Sequence, residues 1–466
     1  MVSQSQSAVP RGPDRPRVLV LAEAANPEWV SVPLVGWSLA RALARRVNAH
    51  LVTQVRNRDA ILRAGLVEGV DFTCIDSEVV ARPLNRIGAW IAGLKGRSFS
   101  TITALETLAY YEFERRAWKR FGSEIKRGEW DVVHRVTPLS PVMASPMAAR
   151  CARVGVPFVI GPLNGGVPWP KGFEALARED REWLTRVRSV HKYLPGHRST
   201  RARAAAILVG SRTAHSEISG RWRSKCFYMP ENGVEAEAVA TKVNKGPARP
   251  LRAIFLGRLV PLKGVDLLIE AAAPLAREGR IEVEIVGEGR QRQVLEELVR
   301  REKVEAQIKF AGWVDHAHVA EHLSRAHALV LPSVREFGGG VVVESMAQGT
   351  VPIVLDHGGP PELVSPATGI VVRLGTRDEI IAGLRSALLS LYEDRERLAE
   401  LSARCLERAR THFTWDAKAA RLAELYDWIL APSGRRPVFP MPIGDDLHTA
   451  AHTPAVTPHQ RVPPLR

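Results

Sequence analysis

Long apolar runs are absent from this sequence of 466 residues. No run approaches the roughly 20 apolar residues that a helix needs to cross a bilayer, so the sequence predicts no transmembrane helix. The apolar stretch from Val18 to Ala25 is too short for a signal peptide and lacks the flanking residues of one. It is more typical of a first buried strand, and we expect a cytoplasmic protein.

Cysteine is also scarce, with four residues that lie far apart in the chain. None forms a CxxC pair or stands at a metal-binding spacing from a histidine. This pattern argues against a disulfide scaffold and against a cysteine-ligated zinc site. We interpret the four residues as reduced thiols of the core: Cys74, Cys151, Cys226 and Cys405.

Acidic residues are outnumbered, because 50 Asp and Glu face 65 Lys and Arg and give a net charge of +15. The segment Arg178–Lys225 concentrates the excess, with twelve basic residues against four acidic ones. Such charge favours nucleic acid, an anionic membrane surface or a phosphorylated ligand. No recognisable nucleic-acid-binding module accompanies it, so we expect no nucleic-acid partner.

What the sequence does contain is a repeated alternation of short apolar strands with longer amphipathic helices, the pattern of parallel α/β units. The polar stretch Asn244–Pro250 interrupts the alternation, which then restarts at Ala253. We therefore predict an α/β protein with two doubly wound parallel sheets, in a first domain at 16–230 and a second at 231–412. Ligands of such sheets bind at the carboxyl ends of the strands.

The two ends of the chain lack apolar periodicity and are rich in polar residues and proline. We expect residues 1–15 and 431–466 to be disordered. A last run of helix formers, Ala417–Leu430, precedes the tail, and Asp416 is its predicted N-cap. We expect this helix, at about 415–430, to pack back on the first domain.

Three glycines follow a predicted strand and precede a predicted helix, within the sequence EFGGGVVVE from Glu336 to Glu344. Glycines at such a turn let a ligand approach the backbone, and the amides at the start of the helix favour an anion. The Glu344 carboxylate suits a ribose, because it can accept two adjacent O–H donors. The alternative is a plain glycine turn in which Glu344 complements the helix dipole.

A second strand-to-helix turn, Gly257–Gly264, carries two cations, Arg258 and Lys263. Two cations on one loop are suited to clamp a diphosphate, which then needs no metal ion to neutralise it. The alternative is a solvated basic loop.

These segments occur in an order that resembles glycosyltransferase family 4. The series GRLVPLKGVDLLIEA, VGEGR, FAGWV, LPSVREF, GGGVVVESMAQGTVPIV and GGPPELV matches the C-terminal half of that family almost without gaps from about Arg252 to Leu374. Glu336 and Glu344 match its Glu-x7-Glu hallmark. Phe337, directly after the first glutamate, departs from the pattern of many members.

The resemblance implies the GT-B fold, in which two Rossmann-like domains face a cleft. It also implies a retaining, metal-independent transfer of a sugar from a UDP- or GDP-sugar, with no cofactor. Arg258 and Lys263 would hold the pyrophosphate, Glu344 the ribose, and the catalytic residue Glu336 the transferred sugar. The other predicted donor-binding residues form the glycine turn and the helix start: Phe337, Gly338, Gly339, Gly340, Val341 and Val342.

The N-terminal half resembles the family less. Where many members have Gly-Gly after the first strand, this chain has PLVGW, and Gly36 is the predicted substitute beside the phosphate. His134 matches the family's strand-end histidine that faces the transferred sugar, and it is our second catalytic candidate. A strand-end histidine is also a common structural residue. The segment Gly161–Gly166 also ends a strand and is predicted to line the cleft.

The sequence does not identify the acceptor, and analogy with the family favours a glycan or a glycolipid. Two alternatives to a glycosyltransferase are a nucleotide-sugar epimerase or hydrolase with the same fold, and a non-catalytic scaffold subunit. The intact set of four candidate residues argues against the scaffold: Arg258, Lys263, Glu336 and Glu344.

An anionic membrane surface, at the inner face of the cell membrane, is a further candidate partner. Segment 83–97 has Trp90 beside apolar residues that share one helical face: Leu84, Ile87, Ile91 and Leu94. Together with the basic residues around it, this pattern is typical of an interfacial helix. The alternative is that the apolar stripe packs on the first sheet and that the basic block is solvated.

Overall fold

The computed structural model describes residues 15–78, 99–173, 196–242, 250–431 and 436–439. For residues 99–106 it describes the backbone but not the side chains. The first domain contains a seven-stranded sheet of parallel strands in the order β3-β2-β1-β4-β5-β6-β7. Its strands are β1 (Arg17–Ala22), β2 (Asn48–Gln54), β3 (Phe72–Ile75), β4 (Val132–Thr137), β5 (Phe158–Leu163), β6 (Ala206–Val209) and β7 (Cys226–Tyr228).

Helices cover both faces of this sheet, because parallel strands need crossover connections. They are α1 (Val32–Arg46), α2 (Arg58–Arg63), α3 (Phe99–Lys126), α4 (Pro146–Arg153), α5 (His197–Arg203) and α6 (Arg212–Ser216). Successive strand residues point to opposite faces. Val18 accordingly packs in one core cluster with Leu39 of α1, whereas Leu19 packs in another with Phe113 of α3.

The second domain repeats this design with a six-stranded parallel sheet in the order β10-β9-β8-β11-β12-β13. Its strands are β8 (Leu251–Leu256), β9 (Ile281–Val286), β10 (Ile308–Gly312), β11 (Ala328–Leu331), β12 (Val351–Leu355) and β13 (Ile370–Val372). Its helices are α7 (Val265–Arg277), α8 (Arg292–Arg301), α9 (His316–Arg325), α10 (Gly340–Ala347), α11 (Pro360–Leu363), α12 (Arg377–Glu393) and α13 (Arg395–Arg408). The strand order reverses between β8 and β11, which is where ligands bind in such sheets.

The chain crosses between the domains at two places that lie side by side. The Val234 amide donates to the Phe413 carbonyl at 3.0 Å, and the Trp415 amide donates to the Val234 carbonyl at 2.9 Å. After the second crossing, helix α14 (Trp415–Leu430) returns to the first domain. It buries its apolar face in the core cluster that contains α1.

The N-cap of α14 is Thr414 and not the predicted Asp416. Thr414 Oγ1 accepts a hydrogen bond from the Ala417 amide at 3.2 Å. Asp416 lies in the first turn, where it complements the helix dipole and accepts a hydrogen bond from Arg45 Nε at 2.8 Å. The prediction was wrong because the helix begins earlier, at the buried Trp415.

Several predicted features lie outside the described residues. They are the N-terminal segment 1–14, the candidate membrane segment 83–97, the part of the basic block at 178–195, the part of the linker at 244–249 and the parts of the tail at 432–435 and 440–466. In the ranges that are described, no helix is both long and apolar enough to span a bilayer.

Candidate active site

The loops that follow β8 and β11 meet at the carboxyl edge of the second sheet. The β8 loop makes a 3₁₀ turn at Pro261–Lys263 and reverses at Gly264, whose φ of +65° lies in the left-handed region. A Cβ on Gly264 would lie 2.3 Å from the Pro332 carbonyl oxygen. Only glycine therefore lets the two loops approach this closely.

This approach brings Lys263 to Glu336, 73 residues later in the chain. The Lys263 ammonium donates to the Glu336 carboxylate in an ion pair whose side chains are 15% and 19% exposed. Arg258 lies exposed on the same loop as Lys263. The structure thus places the two predicted phosphate-binding cations on one loop and pairs one of them with the predicted catalytic carboxylate.

The protein's own packing and backbone conformation restrict side chains at the glycines of the second turn. A Cβ on Gly338 would lie 1.9 Å from Glu231 Oε1, and one on Gly340 would lie 3.2 Å from Asn232 Oδ1. Gly339 has a φ of +66°, which strains any other residue. This packing accounts for the missing side chains, and the role of the backbone amides in ligand binding stays a prediction.

Helix α10 begins directly after this turn, at Gly340. Among the residues that the structure describes, none accepts a hydrogen bond from the amides of Gly338, Gly340 or Val341. A helix N-terminus of this kind favours an anion. The Val342 amide, also predicted to bind the donor, instead donates to the Gly339 carbonyl at 2.9 Å because the turn closes on it.

Glu344 lies in α10, and its side chain is 28% exposed. Its Oε1 atom lies 3.2 Å from Nε2 of His316, at the start of α9. The hydrogen bond to Glu344 raises the pKa of His316, and partial burial acts against this. A carboxylate accepts several hydrogen bonds, so this contact is compatible with the predicted binding of ribose hydroxyls.

A buried polar cluster joins the two domains directly behind the glycine turn. Asn164, which follows β5, donates through Nδ2 to Glu231 Oε1 at 2.6 Å and to the Phe337 carbonyl at 3.1 Å. Its Oδ1 accepts from Ser211 Oγ and from the Gly165 amide, both at 2.8 Å. Burial raises the pKa of Glu231, and the hydrogen bond from Asn164 acts against this.

A second carboxylate ties the domains together. Glu362 of α11 accepts from the Arg212 amide, 2.9 Å from each of its oxygens, and from the Tyr228 hydroxyl at 2.9 Å. Both donors belong to the first domain. Burial raises the pKa of Glu362 to about 7, and the two hydrogen bonds act in the opposite direction.

An arginine beside the candidate catalytic residue completes the contact between the domains. The Arg335 guanidinium lies over the rings of Trp169 and Phe337, 5.2 Å from each centroid. It also donates through Nε to the Val167 carbonyl at 3.0 Å. The loop after β5 therefore lies against the loop that carries Glu336.

Sequence reasoning missed Glu231, Glu362 and Arg335 as residues of this site. Each is a charged residue within an apolar, proline-rich or glycine-rich segment, which is the local signal for a buried polar contact. Which partners it meets depends on the arrangement of the two domains, and the sequence does not reveal that arrangement.

His134 does not reach the cleft, contrary to the prediction. Its ring has no exposed surface, Nδ1 lies 2.6 Å from the Tyr426 hydroxyl, and Nε2 lies 2.8 Å from the Gly161 carbonyl oxygen. Burial lowers its pKa to about 4. In this structure His134 links the first sheet to α14, and the hydrogen bonds occupy both ring nitrogens.

The structure gives Gly36 a packing role, and its predicted role beside a phosphate stays a prediction. Gly36 is buried within α1, and a Cβ there would lie 2.1 Å from the Ala24 carbonyl oxygen. The missing side chain lets α1 pack against the loop after β1. The neighbour that approaches this glycine closely is therefore the protein's own backbone.

No group of three His, Cys, Asp or Glu side chains suited to a metal ion occurs in the described ranges. None of the four cysteines, which all lie in the described ranges, forms a disulfide, and Cys151 and Cys405 are buried. Metal independence stays a prediction.

Comparison with known proteins finds a family match in the second domain. Residues 240–411 match a family model described as glycosyl transferases group 1. A glycogen synthase of Mycobacterium tuberculosis is 31% identical over 207 residues, which are 44% of this chain and 49% of that protein. A GDP-mannose-dependent monoacylated alpha-(1-6)-phosphatidylinositol monomannoside mannosyltransferase of Corynebacterium glutamicum is 32% identical over 177 residues, 36% of this chain and 45% of that protein. The chain thus spans about half the length of these relatives.

Similarity to solved structures covers both domains. Anabaena Alr3699/HepE, solved in complex with UDP, superposes with a TM-score of 0.58 at 15% identity, over 88% of this chain and 98% of that one. At this identity the likeness shows the fold. The predicted GT-B architecture of two Rossmann-like domains is confirmed.

Proposed function

We propose that the protein is a retaining glycosyltransferase that uses a UDP- or GDP-sugar, because residues 240–411 match the family model of glycosyl transferases group 1. The observation that carries this proposal is the convergence of three features at one sheet edge. They are the Lys263–Glu336 ion pair, the amides at the start of α10, and the Glu344 carboxylate. Cations and the amides of a helix start suit a diphosphate, and a carboxylate suits the hydroxyls of a ribose.

In the proposed reaction, the bond between the sugar carbon and the donor phosphate breaks, and negative charge develops on the departing diphosphate. Lys263, Arg258 and the amides of Gly340 and Val341 stabilise that charge, since they are fixed in place before it appears. The acceptor oxygen attacks from the same face, and its proton passes to the departing phosphate. Glu336 accepts hydrogen bonds from hydroxyls of the transferred sugar.

Both nucleotide bases have support from similar proteins. HepE was solved in complex with UDP, and the C. glutamicum relative is named for its dependence on GDP-mannose. We take the acceptor to be a glycan or a glycolipid that enters the cleft against the first domain. We also propose that the protein docks on an anionic membrane surface. The sequence pattern of segment 83–97 and the charge of the basic block Arg178–Lys225 support this.

A donor panel tests the proposal. The purified protein would be incubated with UDP- and GDP-sugars and a set of glycan and glycolipid acceptors, with and without EDTA, and release of nucleoside diphosphate would be measured. We expect one donor class to be consumed with EDTA present, and the product to keep the anomeric configuration of the donor by NMR. Consumption of donor without transfer would favour an epimerase or hydrolase, and a strict metal requirement would contradict the proposed chemistry.

A further inference from the structure

The geometry points to Asn164 of the first domain as a positioning residue of the donor site. By donating to the Phe337 carbonyl, Asn164 aims the neighbouring backbone amides at the transferred sugar. This role rests on the proposed function. If Asn164 has this role, a residue of the first, acceptor-side domain affects the turnover of the donor sugar.

The Asn164 side chain is held in one orientation. It is 7% exposed, and its Oδ1 faces two donors, the Ser211 hydroxyl and the Gly165 amide. Its Nδ2 faces two acceptors, Glu231 Oε1 and the Phe337 carbonyl. A flipped amide would place donor against donor and acceptor against acceptor, so the network fixes which atom meets Phe337.

The carbonyls of the turn point into the protein. The Glu336 carbonyl accepts from the Gly359 amide at 3.1 Å. The Phe337 carbonyl accepts from Asn164, and a Cβ on Gly359 would lie only 1.9 Å from it. Both carbonyl oxygens are therefore held against the inner side of the turn.

This arrangement sets the direction of the amides. The peptide between Phe337 and Gly338 is trans, and in a trans peptide the N–H points opposite to the C=O. Holding the Phe337 carbonyl inward thus turns the Gly338 amide outward, and holding the Glu336 carbonyl inward does the same for the Phe337 amide. No described residue accepts a hydrogen bond from either amide.

The role proposed for Asn164 differs from that of the residues that are proposed to bind the nucleotide. The proposed phosphate and ribose contacts come from Lys263 and Glu344, which lie in the second domain and bond to neither Asn164 nor Glu231. Loss of the Asn164–Phe337 hydrogen bond should therefore lower turnover and leave the affinity for UDP or GDP unchanged. A residue that merely holds the domains together would change turnover only in step with stability.

Exchanging the hydrogen-bonding groups of Asn164 and Glu231 distinguishes a positioning role of Asn164 from a purely structural one. Asn164→Asp sets an oxygen against both the Glu231 carboxylate and the Phe337 carbonyl. The double variant Asn164→Asp/Glu231→Gln restores a donor–acceptor pair between positions 164 and 231, and leaves an oxygen facing Phe337. Asn48→Asp, the same chemical change at the amino end of β2, is the matched control. Asn164→Ala, which removes the donor without adding charge, replaces Asn164→Asp if that variant does not fold.

Three quantities would be measured for each variant: the melting temperature, the affinity for UDP and GDP, and the release of diphosphate from the donors of the panel. We expect the double variant to regain part of the melting temperature that Asn164→Asp loses and to keep the nucleotide affinity of the wild type, with turnover about 10- to 100-fold lower. Recovery of turnover together with the melting temperature would overturn the role of Asn164 and leave the proposed function standing. A wild type that neither binds nucleotide nor consumes any donor would refute the proposed function, and this role with it.

Discussion

The charge of Lys263 is balanced by Glu336, although the two residues have different partners in the proposed reaction. Sequence motifs predicted both residues, but their pairing was not predictable because 73 residues separate them. The pairing has a consequence for binding, since a diphosphate must compete with the Glu336 carboxylate for the lysine. At Gly36 and His134, by contrast, the sequence motif predicted a ligand-binding residue, and the structure shows a buried residue that packs within the first domain.

Replacement of Glu336 by Gln tests this competition. We expect Glu336→Gln to bind UDP or GDP several-fold more tightly, because removal of a partly buried ion pair frees about 1 kcal/mol of interaction with Lys263. Turnover should fall by about 100-fold or more, since the contact with the sugar is weakened. Calorimetric titration and initial rates measure the two effects. Glu305→Gln removes the same charge at an exposed position and serves as control. Weaker nucleotide binding in Glu336→Gln would show that the two groups do not compete.

At the scale of the elements, the glycine turn before α10 is shaped by the first crossing between the domains. Its position between strand and helix was predictable from the sequence, because glycines between an apolar run and a helical pattern mark such a turn. The reason for its glycines was not predictable. Gly338 faces Glu231, which comes from another segment of the chain, and space of this kind is defined only by tertiary packing.

A double-mutant cycle tests this packing. Gly338→Ala places a methyl group against the Glu231 carboxylate, and we expect it to lower the free energy of unfolding by about 1–3 kcal/mol. The cost should shrink in the Glu231→Ala background, because the carboxylate that causes the clash is gone. Gly220→Ala, at a glycine with no neighbour within 4 Å of the added carbon, is the control and should be near neutral. An equal cost of Gly338→Ala in both backgrounds would rule out the clash.

The whole molecule depends on contacts that cross between its domains, and these were the least predictable part. The alternation of strands and helices was sufficient to predict two parallel sheets. It gave no information about Asn164 and Phe337, which are 173 residues apart, or about Arg212 and Glu362, which are 150 apart. Such pairs form only when two complete domains pack against each other. Local sequence patterns do not predict how the two domains are arranged.

The Glu362 contact should make stability depend on pH. Burial raises its pKa from 4.5 to about 7, so the folded protein holds this proton more tightly than the unfolded chain does. The resulting stabilisation is complete below about pH 4.5 and is lost as pH rises through about 7. Relative to Glu362→Gln, which does not titrate, the wild type should lose up to about 3 kcal/mol of unfolding free energy between pH 5 and pH 8. Urea unfolding of both proteins at the two pH values measures this, and a constant difference would show that Glu362 does not titrate as described.

Calorimetric titration of the wild type and of Lys263→Ala with UDP, GDP and the matching nucleosides, with EDTA present, tests the central claim most directly. We predict that one of the two nucleotides binds the wild type with one site per chain. Lys263→Ala should then lose about tenfold or more in affinity for the diphosphate, because a charge-assisted contact is gone, and little in affinity for the nucleoside. Absence of binding by both nucleotides, or equal losses for nucleotide and nucleoside, would contradict the assignment of this sheet edge to a nucleotide-sugar donor.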